Sequence, residues 1–85
     1  MNNELTRLRQ EADAAEKRRR MAARRVTWLE QLLYQSVTGE QFESRNAELE
    51  TAIAETQLLG LQALKAKAAF DNADIQARFG RAATT

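Results

Sequence analysis

Two runs of mainly small or apolar residues, each spaced alternately by three and four, restrict this chain to long helices that pack side by side. The first run is Leu5, Leu8, Ala12, Ala15, Arg19, Ala22, Val26, Leu29, Leu33 and Ser36, in which Arg19 and Ser36 are out of character. The second starts at Phe42 and continues through Arg45, Leu49, Ala52, Thr56, Leu59, Ala63, Ala66, Phe70, Ala73 and Ala77. Residues three and four apart share one side of an α-helix, so each run forms a seam. Gly39 lies between them, and the pattern predicts an all-α fold, an antiparallel two-helix coiled-coil hairpin.

Few residues here can stop a helix. Pro is absent, and Gly occurs only at positions 39, 60 and 80. Gly39 is able to adopt the left-handed backbone that ends a helix, and Thr38 and Gln41 have the spacing of a capping box. Gly80 is the second expected stop. The prediction is one domain over residues 1–85, with helices at 3–36 and 40–79, a turn at 37–39 and a frayed tail at 80–85. Gly60 falls inside the second helix and is read as a tolerated residue, with a kink or a close helix approach as the alternative. A turn centred near residue 39 sets Leu29 against Leu49, Val26 against Ala52 and Ala15 against Ala63. It also brings Arg20 and Arg24 towards Glu55 and Glu50.

Composition narrows the chemistry. With no Cys and no His, the chain has no disulfide, thiolate, imidazole base or common structural zinc ligand. It has no Gly-rich phosphate loop, no carboxylate cluster with metal spacing and no nucleophile beside a base, so neither catalysis nor a cofactor is expected. No stretch approaches the roughly 20 apolar residues of a membrane span, and no signal-peptide pattern is present, which predicts a soluble protein. A hairpin of 85 residues buries little apolar surface. Dimerisation or a partner protein is therefore expected to complete it.

Two surfaces are candidates for function. One is the basic run Lys17, Arg18, Arg19, Arg20, Arg24 and Arg25, of which Arg18, Arg20, Arg24 and Arg25 are candidate phosphate contacts. Glu50 and Glu55 are able to neutralise part of it, and no aromatic residue lies within the run to stack on bases. The other is a second apolar stripe on helix two, formed by Ala54, Leu58, Leu61, Leu64, Ala68, Ile75 and Phe79. It lies about 140° around the helix from the seam. Leu58, Leu61, Leu64, Ala68, Ile75 and Phe79 are the candidate partner-binding residues, facing either a second copy in a four-helix bundle or a groove on another helical protein.

Gln41 and Phe42 at the start of helix two, followed by Leu49, Glu50, Thr51, Ala52 and Ile53, resemble the small co-chaperones of type III secretion needles. The resemblance covers residues 26–64. It implies a cytoplasmic bacterial protein that partners a larger helical-repeat chaperone and keeps a needle subunit from polymerising early. The arginine cluster, the greater length and the continuation through Phe70 and Phe79 depart from that pattern, and leave open a secretion-stalk coiled coil or a small regulatory protein. The reading is a non-enzymatic adaptor or co-chaperone that masks apolar surface on another helical protein. The alternative is a dimeric nucleic-acid-binding regulator.

Overall fold

A computed structural model describes the backbone of residues 2–84 and the side chains of residues 3–80. Two helices account for nearly all of it: α1, Asn2–Tyr34, and α2, Gly39–Thr84. They pack antiparallel as a hairpin, giving a rod with extents of 70 × 16 × 13 Å.

Helix α1 ends two residues before the expected position. The amide of Gln35 donates to both Gln31 and Leu32, and that of Ser36 to Leu33 at 3.1 Å, so the last turn tightens before the chain leaves the helix. α2 is started by Thr38, whose Oγ1 accepts the Gln41 amide at 3.1 Å. The Gln41 side chain accepts the Val37 amide at 3.0 Å, one residue earlier than a standard capping box. This is the start expected from the spacing of Thr38 and Gln41, whereas the left-handed stop expected of Gly39 does not form. That glycine is the first residue of α2 and has no positive φ.

The expected stop at Gly80 does not occur either. Gly80 has a helical backbone, the helix continues to Thr84, and Thr85 lies outside the described residues. Gly permits a left-handed stop without imposing one, and the following Arg-Ala-Ala sequence favours helix.

The hairpin register follows the two seams. Leu29, Leu49 and Ala52 form the buried core, with Val26, Leu32 and Leu33 packed against it. Leu29 is 1 % exposed, and Ala15 and Ala63, which pair in the same register, are both buried. Phe42 and Ala77, at the two ends of the second seam, are exposed. α1 has already ended at Tyr34 opposite Phe42, and Ala77 lies level with the extreme start of α1.

The core is small for the size of the chain. Accessible surface is 6903 Å², against about 5,100 Å² for a compact protein of 9.6 kDa. The Cα radius of gyration is 19.4 Å, where a compact domain of this length has about 12 Å. Two helices have only one face each to give to the other, and the remaining apolar surface stays wet.

Candidate interaction surfaces

Alternate packing on α2 creates the first surface. The seam residues of α2 turn towards α1, so residues on its other side have no partner within the chain. Leu58, Leu61, Leu64, Ile75 and Phe79 are all more than half exposed, with Leu64 and Phe79 at 66 %, and Ala54 and Ala68 are exposed among them. These are the residues expected from the sequence to bind a partner. They lie on one outer side of one unbroken helix, interspersed with Gln57, Lys65 and Asn72 and with Glu43 and Glu50 towards the N-terminal end. A strip of this length exceeds what a small monomer ordinarily leaves to water.

The basic run is divided by its own carboxylate. Glu16 accepts from Arg19 Nε at 3.0 Å and Nη2 at 2.5 Å, and from Arg20 Nε at 3.4 Å. The Arg19 hydrogen bonds, helped by its charge and by Arg20, hold the Glu16 carboxyl at about 2, well below its ordinary 4.5. The same pairing raises the Arg19 guanidinium. Arg19, the charge in the middle of the α1 seam, turns to the carboxylate one turn back on its own helix, a shorter and entropically cheaper reach than a carboxylate of α2.

The cross-helix pairs expected of Arg20 with Glu55 and Arg24 with Glu50 are not formed. Every ion pair among the described residues lies within one helix, including Arg7 with Glu11 and Arg78 with Asp74. The arginines that border Glu55 are Arg18 and Arg25, in a shallow groove shared with Met21 and Leu59. Both sit one position before a seam residue, the flank that faces the neighbouring helix. Arg20 and Arg24 lie further round α1, and the side chains of Arg18, Arg20, Arg24 and Arg25 are all exposed, with Arg20 alone of the four paired to Glu16.

The sequence places Trp28 and Met21 on a widened apolar face of α1, but two features were not read from it. Trp28 is 57 % exposed and Met21 59 % exposed, and seven-residue spacing sets both on the face that carries Arg24 and Arg25. An aromatic side chain thus does accompany the arginines, one turn beyond the run in which it was sought. The available signal was the spacing of three and four from Arg25 and Arg24 to Trp28. The second feature is Arg45, a seam position of α2. Its Nη1 donates to the Leu32 carbonyl at 2.7 Å and to Ser36 Oγ at 3.4 Å. α1 has no basic residue in its last turn, and Arg45 supplies that cation from the other helix.

Among the described residues, no group of three or more His, Cys, Asp or Glu is placed to hold a metal ion, and no helix is long and apolar enough to cross a membrane. No protein-family model, curated protein or solved structure matches the chain.

Proposed function

We propose that this protein is a non-enzymatic interaction module that works by laying the outer strip of α2 against an apolar helical surface. The exposed row Leu58, Leu61, Leu64, Ile75 and Phe79 carries this reading. Each such side chain, once covered, contributes on the order of 1.5–3 kcal/mol before ordering costs are subtracted. α1 acts as the brace that keeps α2 helical and its strip straight. The resemblance to needle co-chaperones supplies one form of this activity, the masking of an assembly-prone secretion subunit in the bacterial cytoplasm.

The test is to place charge on the strip. Leu61→Glu with Ile75→Glu should abolish the assemblies that the chain forms, by light scattering of the purified protein and gel filtration of extracts, while circular dichroism still reports helix. Unchanged assembly with unchanged helicity would show that the strip is not the interface.

A second reading has its own observation, the exposed Arg18, Arg24 and Arg25 beside Trp28 and Met21. Cations next to an aromatic suit single-stranded nucleic acid. Phosphate binding weakens steeply with salt, whereas apolar docking persists. Affinity for an oligonucleotide between 50 and 200 mM salt, on the order of the range used for such proteins, separates the two.

A further inference from the structure

The leucines and alanines of the strip on α2 are placed symmetrically about Leu61. About Leu61, Leu58 and Leu64 lie three residues away on either side, and Ala54 and Ala68 seven away. Ala47 and Ile75 continue the pattern at fourteen. Helical spacing puts the members of each pair at equal and opposite angles about the line through Leu61. A two-fold antiparallel pair, in which residue i meets residue j and j meets i, makes use of this placement, because Leu58 then meets Leu64 and Ala54 meets Ala68.

We infer, building on the docking role proposed for the strip, that its occupant is a second copy of this chain, packed antiparallel with Leu61 of each copy on the two-fold axis. Leu58 of each copy is then level with Leu64 of the other, Ala54 with Ala68, and Ala47 with Ile75. Small residues meet small ones on either side of the central leucines, which lets the helices approach. Further out, Ile75 is set against Ala47.

Charge selects the direction. In a parallel pair Glu43 would oppose Glu43, Glu50 would oppose Glu50 and Lys65 would oppose Lys65, and like charges brought level are unfavourable. Antiparallel packing sets Glu50 level with Asn72, Lys65 with Gln57, and Glu43 with Phe79, one residue from Arg78. No like charges face each other along the strip.

The area is also suitable. From Glu43 to Phe79 the strip runs about 54 Å at 1.5 Å per residue, long enough for the roughly 800 Å² per partner of a standard interface. The chain carries more than that in surface beyond what a compact protein of its mass exposes. α1 packs on the seam side of α2, and its Glu16 and Arg19 border a shallow groove that Leu61 and Leu64 also line. The assembled particle is a four-helix layer, α1 outside and the two α2 helices inside, no longer than one hairpin.

The absence of Cys makes the register directly readable, since any thiol introduced is the only one. Full-length Leu61→Cys should oxidise to a disulfide-linked dimer. Ala54→Cys and Ala68→Cys, which leave every leucine in place, should cross-link poorly alone and efficiently when mixed. Leu61→Glu should raise the dimer dissociation constant more than about 100-fold, because the charge is placed twice at one level. Efficient self-cross-linking of both alanine positions would mean a parallel pair and would overturn the inference. So would a monomeric wild type in sedimentation at about 0.5 mM, where even a Kd of about 0.1 mM leaves mostly dimer. A monomer whose complexes in extracts are lost on charging Leu61 and Ile75 would sink the second copy alone and leave the docking role standing. Assembly indifferent to those charges would sink both.

Discussion

Arg45 and Arg19 both occupy seam positions, and the backbone around each decides what its charge does. Arg45 lies beside the end of α1, where carbonyls lack helical partners, and its hydrogen bonds to the Leu32 carbonyl and to Ser36 tie the two helices together at the turn. Arg45→Met keeps the bulk and removes the donor. It is expected to destabilise the hairpin by about 1–2 kcal/mol, since a carbonyl loses a charge-assisted hydrogen bond. Chemical denaturation measures this, and a neutral outcome would mean that water caps the carbonyl equally well. Arg19 is held mid-helix by Glu16 instead. Glu16 has a folded pKa of about 2 against an ordinary 4.5, so its contribution is fully present above about pH 4.5 and is lost as pH falls towards 2. The pair is more than a third exposed, so solvent screens it and the effect is modest. Glu16→Gln should flatten the fall in Tm across that acid range and leave the profile near neutral pH parallel to wild type. An unaltered acid limb would show that other carboxylates control it.

At the scale of the element, α2 has apolar residues on opposite faces, the pattern of a helix covered from both sides. Gly60 interrupts neither face. A Cβ built there meets only the Arg19 Cδ, at 3.9 Å, an ordinary van der Waals distance. Since nothing requires the glycine, Gly60→Ala should stabilise α2 by about 0.5–1 kcal/mol, raising Tm by several degrees, at about 4–8 °C per kcal/mol. A lower Tm would reveal a close approach that only glycine permits. The seams and the outer strip were legible in the sequence because periodicity alone assigns residues to a face of a helix. Leu29 against Leu49 and the exposure of Leu61 and Leu64 both follow from it. Helix ends were less legible. Thr38 and Gln41 marked the start of α2, but the left-handed stops expected of Gly39 and Gly80 do not form, since glycine permits that backbone without imposing it. Ion-pair partners were illegible for a related reason. The register brings several carboxylates near each arginine, and side-chain reach within one helix favoured Glu16 over the carboxylates of α2.

For the whole molecule, stability is distributed unevenly along the rod. Near the turn, Leu29, Leu49 and Ala52 pack with Val26, Leu32 and Leu33, and Thr38 and Arg45 satisfy backbone groups. Beyond the core the seam passes through alanines, and at the open end Leu5, Leu8 and Phe70 are only partly covered. A second copy on the outer face of α2 would cover α2 along its length and add nothing to the first turns of α1, so the gradient should persist in the assembled protein. Hydrogen exchange is expected to be slowest at Val26–Leu33 and Leu49–Ala52 and to quicken towards the start of α1, because local opening is cheapest where fewest apolar contacts break. Mutation should report the same gradient. Leu29→Ala removes a fully buried side chain and should cost about 2–5 kcal/mol, a large share of the 5–15 kcal/mol typical of a folded domain. Leu8→Ala, at a partly wet site, should cost less than half as much. Equal losses at the two positions, or uniform amide protection along α1, would show that the hairpin is held together evenly and that the core near the turn is not its anchor.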